Sequence, residues 1–230
     1  MPTLVLGSNR ISDVSSLSNL TELTYLNLQV NEIKVVTPLT TLTNLKELHI
    51  YSNQISDITS LQILNNLTHL NLAANAISDI SALSKLTKLE WIDLAVNQIV
   101  DLSPLVENEG ISGKIIISPS PSETNPLNNL AYSTHIPALQ ARGIDVRYIV
   151  PEDVVLFKDA NLEKAIRDAL GIPTELLKKE DLEKLKELKY DGSKLAENKR
   201  IADLTGIENC TSLTSLFLHY NRQITVSLKH

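Results

Sequence analysis

The chain has 230 residues, 43% hydrophobic and 21% charged, so it can bury a core and does not belong to the disordered class. Lys plus Arg number 21 against 27 Asp plus Glu, and the net charge of −6 argues against a nucleic-acid or anionic-membrane binder, which needs a basic field. The single cysteine, Cys210, excludes an internal disulfide framework or a multi-cysteine metal site; no apolar run reaches the length of a membrane span, and the opening MPTLVLGSNR is not built as a signal peptide.

From residue 3 onward one unit recurs. Asn9, Asn31, Asn53, Asn75 and Asn97 are spaced 22 residues apart without a slip. Leu4, Leu26, Leu48, Leu70 and Ile92 keep the same step, as do Leu6, Leu28, Ile50, Leu72 and Leu94. An Ile column from Ile11 to Ile99 and a return side marked by Leu17, Leu39, Leu61, Leu83 and Leu105 complete the unit. A single unit cannot bury this many aliphatic positions, so each turn must stack on its neighbours and the columns become continuous ladders. The period-two L-x-L points both leucines inward and the residues between them outward. The Asn amide carries donors and an acceptor, which suits backbone groups exposed where the chain leaves the strand.

The wording L-x-L-x-x-N-x-I-x-D-[IV]-x-x-L-x-x-L-x-x-L resembles the 22-residue leucine-rich repeat of bacterial internalin-like proteins. The resemblance implies an α/β solenoid whose L-x-L strands line a concave parallel β-sheet, a surface for recognising other proteins, and a bacterial or archaeal origin, often secreted or at the cell surface. Asp13, Asp57, Asp79 and Asp101 recur beside the Ile ladder and are expected to cap the turn onto the convex side; Val35 breaks that column, which speaks against a repeated calcium site.

The array, residues 1–105, gives way to a segment over 106–150 that resembles the closing cap of internalin-like arrays, with N-P-L followed by I-P-A-L-Q-A-R-G-I. Within it Ile115 to Ile117 suits a strand, Thr134 to Arg142 a short helix ended by Gly143, and Ile144 to Ile149 a closing strand. Residues 151–200 look like the helical opening cap of the same family, with amphipathic helices over Asp159 to Leu170 and Lys179 to Leu188. A partial repeat follows over 201–230, with its register slipping by one residue at Gln223 and Ile224.

The order is therefore repeats, closing cap, opening cap, one repeat. Three explanations stay open: a piece of a longer protein with tandem arrays, a circular permutation, or stacking of the last repeat on the first repeat of another copy. Turns stack about 5 Å apart and the nine residues from Arg147 to Val155 reach about 30 Å, so closure within one chain looks strained. Stacking between copies would use Leu4, Leu6, Leu216 and Leu218 and would be head-to-tail.

With the structural columns set aside, the outward strand positions carry the functional expectation. Tyr25, Gln29, Glu47, His49, Tyr51, His69, Asn71, Trp91 and Asp93 are the candidate partner-binding residues, and Ser215, Phe217 and His219 hold equivalent places in the last repeat. Exposed aromatic side chains on a rigid sheet make good anchors for a protein partner. A metal or catalytic site built from Glu47, His49, His69 and Asp93 is disfavoured: the two histidines fall in different columns, and no nucleophile or oxyanion donor accompanies them. The expectation is a protein-binding scaffold without cofactor, metal or enzymatic activity, with self-assembly through the repeat ends as the alternative.

Overall fold

In the computed structural model, residues 2–120, 124–173, 176–221 and 224 are described. Two compact units divide the chain, residues 1–149 and residues 150–230.

The first unit is built on a parallel sheet of seven strands in sequential order: β1 Thr3–Val5, β2 Tyr25–Asn27, β3 Glu47–His49, β4 His69–Asn71, β5 Trp91–Asp93, β6 Lys114–Ile116 and β7 Asp145–Arg147. The middle residue of each strand pairs with its counterpart, Leu4 with Leu26, Leu26 with Leu48, Leu48 with Leu70, Leu70 with Ile92, Ile92 with Ile115 and Ile115 with Val146. Each strand is short because its chain must turn away to complete the repeat. The turn uses a left-handed residue at the same place each time, Ser8, Val30, Ser52, Ala74 and Val96, with φ between 52° and 58°. None of these is glycine, and for β-branched Val30 and Val96 this conformation is a true outlier.

The chain returns through single 3₁₀ turns, Ser15–Leu17, Thr37–Thr41, Thr59–Ile63 and Ser81–Lys85; in the fifth repeat the helix α1, Ser103–Glu107, takes that place. The aspartates begin these turns as expected: Asp13, Asp57, Asp79 and Asp101 accept from the backbone N–H groups of Ser15, Thr59, Ser81 and Ser103. The core lies between sheet and turns, and Leu26, Leu48, Leu70, Ile92, Leu39, Leu61 and Leu83 are wholly shielded from solvent.

The asparagines tie neighbouring repeats together. Asn53 donates to the carbonyls of Leu28, Ile50 and Tyr51 and accepts from the Ile33 N–H, so it serves its own repeat and the one before it. Asn31, Asn75 and Asn97 repeat that pattern. After Asn97 the slot is filled by Asn125, which accepts from Ile99 N–H and donates to Leu94 O and Ile117 O. The closing segment thus continues the ladder after the 22-residue spacing has gone. Gly113 has φ of +69°, and a Cβ there would lie 2.1 Å from the Glu90 carbonyl oxygen, so the turn into β6 requires glycine.

The short helix expected from Thr134 begins earlier and differently. Ala131–His135 forms a π-helical turn that runs into α2, Ile136–Ala141, and Pro137, which cannot donate a helical N–H, sits in the first turn of α2.

In the second unit the helix α3, Ala160–Leu170, forms as expected, capped by Asp159 and ended by Gly171 in the left-handed conformation. The expected second helix over Lys179 to Leu188 does not. Only α4, Lys179–Leu182, is helical; Glu187–Lys189 is strand β8 and pairs in parallel with β9, Ser215–Phe217. Leu182, Leu185 and Leu188 fall three residues apart, as do Leu20, Leu23 and Leu26, whose last member is the middle residue of strand β2. Residues 182–190 are thus the return side and strand of a repeat, with Tyr190 in the place of the second leucine: its N–H donates to Phe217 O as Leu28 N–H does to His49 O.

Candidate sheet-face site

The candidate residues occupy the side of the seven-stranded sheet that faces away from the core. Strand register places Tyr25, Glu47, His69 and Trp91 in one row, continued by Lys114 and Asp145. Asn27, His49, Asn71 and Asp93 form the adjacent row, continued by Ile116 and Arg147. From Tyr25 to Trp91 all eight are half-buried, because neighbouring strands at about 4.8 Å crowd each side chain on two sides.

Two ring pairs organise the face. Tyr25 meets His49 with ring centroids 5.3 Å apart, and His69 stacks on Trp91 at 6.4 Å. The two histidines therefore face different partners. His49 Nε2 lies 3.8 Å from Glu47, while His69 Nδ1 lies 3.0 Å from the Thr68 hydroxyl. Burial pushes the His49 imidazole below its ordinary value, and His69 acts in the same direction, against Glu47. Its neutral form is therefore favoured. Acidification from 6.5 downward protonates the unfolded chain first, so this group makes the fold less stable as pH falls.

Gln29 is turned along the sheet, held by Asn27 Nδ2 at 3.1 Å in space that Gly7 leaves free. Asn71 and Asp93 accept from the N–H groups of Ala73 and Ala95. Tyr51 is half-buried in the third row, beside Ala73. The Leu4, Leu6, Leu216 and Leu218 set divides between the two units; Leu4, Leu6 and Leu218 are half-buried and Leu216 is 41% exposed.

The periodic reading missed the far end of the face. A recess of about 550 Å³ opens there, lined by Lys114, Ile116, Pro119, Arg147 and Tyr148. Counting on from Trp91 by 22 reaches Gly113, one residue short of Lys114, and β7 lies further out of step. The apolar run Ile115 to Ile117 after Lys114, and the run Ile144 to Ile149 that contains Arg147, were the available signal. In the second unit, Lys189 Nζ sits 5.5 Å from the centre of the Phe217 ring, which stacks on His219.

Among the described residues no group of three or more His, Cys, Asp and Glu side chains is placed to hold a metal ion, and no helix is long and apolar enough to cross a membrane.

Two family models match the chain, both leucine-rich repeats, over residues 21–63 and 43–99. No curated protein sequence matches it. Among solved structures it is similar to an internalin (inlF) from Listeria monocytogenes, at 22% identity over 94% of this chain and 60% of that one, with a TM-score of 0.49. It is also similar to internalin C2 (inlC2) from the same organism, at 32% identity over 60% of this chain and 59% of that one, again with a TM-score of 0.49. A leucine-rich repeat protein from Leptospira interrogans shares the fold at 21% identity and a TM-score of 0.55, over 64% of this chain and 37% of that one. The chain thus spans between 37% and 60% of the lengths of these proteins.

Proposed function

We propose that this chain, a leucine-rich repeat protein of the bacterial internalin-like kind, is a non-enzymatic scaffold that binds a protein partner on the outward, concave face of its sheet. The observation that carries the reading is the pair of ring contacts, Tyr25 with His49 and His69 with Trp91, on a sheet whose register fixes their spacing. Rigid half-buried rings lose little freedom on binding, which is why such side chains dominate interface energetics. A secreted or surface location accompanies this reading through the same repeat type.

Display selection of peptides on the immobilised chain tests it. Selected binders should weaken about tenfold or more against Trp91→Ala combined with Tyr25→Ala, and be unchanged against Lys85→Ala on the return side. Binders indifferent to the first pair would overturn the reading.

A second reading is favoured by the apolar exposure at β1 and β9, where Val5 is 61% exposed and Leu216 and Phe217 41% each. In it, β9 of one copy stacks head-to-tail on β1 of another. Molar mass measured by light scattering should then rise with concentration and fall back in Leu216→Glu; a constant monomer mass would rule it out.

A further inference from the structure

The charges on the sheet face are unevenly engaged. On the acidic side, Glu47 lies against His49 at 3.8 Å, Asp93 accepts from the Ala95 N–H, and Asp145 holds Arg147 Nε at 3.0 Å. On the basic side, Lys114 is half-buried in the sheet and makes no ion pair among the described residues. Arg147 is held through Nε alone, which leaves both terminal nitrogens of its guanidinium without a described protein partner. These cations come from adjacent strands, β6 and β7, and line one recess whose remaining walls are Ile116, Pro119 and Tyr148. Trp91 pairs in register with Lys114, so the recess begins one strand from the His69–Trp91 stack.

From this juxtaposition we infer that the recess lined by Lys114 and Arg147 receives a carboxylate of the partner, with an aromatic or aliphatic residue of the same segment lying against Trp91. The inference rests on the sheet-face reading and gives that partner its chemistry: an extended acidic–aromatic protein segment. A guanidinium with a free edge binds a carboxylate in a fixed plane, and an ammonium beside it adds charge without fixing direction. Ile116, Pro119 and Tyr148 add apolar wall beside the two cations, which suits the aromatic or aliphatic part of such a segment. A basic segment fits less well. It would place its cation near Lys114, while Asp145 is already paired with Arg147, Asp93 is held by a backbone N–H, and Glu47 stands on β3, three strands from Lys114. The carboxylate has two sources in a protein segment, an acidic side chain or a free C-terminus.

Trp91 is the one tryptophan of the chain, so its emission reports on this place alone. The probes are glycine-spaced peptides carrying one phenylalanine, blocked at both ends, with two glutamates, two lysines or two glutamines. A fourth peptide has glutamines and a free C-terminal carboxylate. The glutamate peptide is expected to shift Trp91 emission saturably and at about tenfold lower concentration than the lysine and blocked glutamine peptides. A response from the fourth peptide equal to that of the glutamate peptide would assign the recess to a chain terminus; a weaker one assigns it to side chains.

The double variant Lys114→Glu, Arg147→Glu should lose the response to glutamate and gain one to lysine, with its circular dichroism unchanged because both side chains reach solvent. Equal responses to the three blocked peptides, or a preference for lysine, would overturn the inference while leaving the sheet face as a binding surface. Silence of Trp91 with every peptide would also overturn it, and the sheet-face reading would then be judged by the display selection.

Discussion

The two units solve the same burial problem with different means. In residues 1–149 each inner repeat has a neighbour on both sides, and Leu48, Leu70, Ile50 and Leu72 are fully shielded although each strand is three residues long. In residues 150–230 the strand β9 has one described strand neighbour, β8, and Leu216 and Phe217 stay 41% exposed. There the second unit relies on a polar clasp. One oxygen of Asp159 accepts from the N–H groups of Asn161 and Leu162 at the start of α3, and the other from those of Ala202 and Asp203. Around it, Phe157, Leu162, Ile166, Leu182, Leu188, Ile201 and Cys210 form a small core of their own. Repetition shields apolar surface by supplying identical neighbours; in the second unit, two paired strands are joined to the helix beside them by specific hydrogen bonds.

The largest effect that separates the two modes is a matched pair of truncations. Leu70→Ala should cost about 2–5 kcal/mol, because a stacked ladder has no slack to fill the cavity, whereas Leu216→Ala should cost less than about 1 kcal/mol. Urea denaturation of both variants measures the difference, and equal losses would mean that the repeats do not stack as described. Next comes the clasp: Asp159→Asn keeps the shape but offers a donor where one carboxylate oxygen accepts, and should cost about 1–3 kcal/mol. Hydrogen exchange should show that loss in residues 150–230 and none in residues 1–149.

The smallest effect is a gain. Val35 is 59% exposed at the place where four other repeats carry an aspartate, and the 3₁₀ turn behind it has no side-chain cap. Val35→Asp should supply that cap to the Thr37 N–H and raise stability by about 0.5–1 kcal/mol, read as a higher melting temperature. No change would mean that the aspartates serve something other than the turn.

The repeat itself was legible because its period leaves so few ways to bury the columns: Leu26, Leu48 and Leu70 had to stack, and Asn31, Asn53 and Asn75 had to serve the backbone. The outward rows followed from the same register, which is why Tyr25, Glu47, His49, His69 and Trp91 could be named as outward positions. What escaped lay where spacing fails. Asn125 joins the ladder 28 residues after Asn97, and Lys114 and Arg147 continue the two rows without keeping step. The stretch from Leu182 to Tyr190 was misread because three-residue spacing fits both a helix face and the return side of a repeat. Strand pairing decided between them, through the contact of Leu188 with Leu216, a partner 28 residues away.

The asparagine bridges also give the array a direction. Each one reaches backward: Asn31 holds Ile11 and Leu6, and Asn97 holds Ile77 and Leu72. The side chain of Asn9, in the first repeat, donates to Leu6 and Gly7 of its own turn and stands exposed to water. Pulling the array apart from that side frees side chains that water can satisfy at once. Pulling from the other side takes the acceptor of the Ile77 N–H away, while Leu72 O keeps its bond from Asn75. The two faces of a turn are thus chemically unlike: one presents an asparagine side chain, the other a backbone N–H that awaits one.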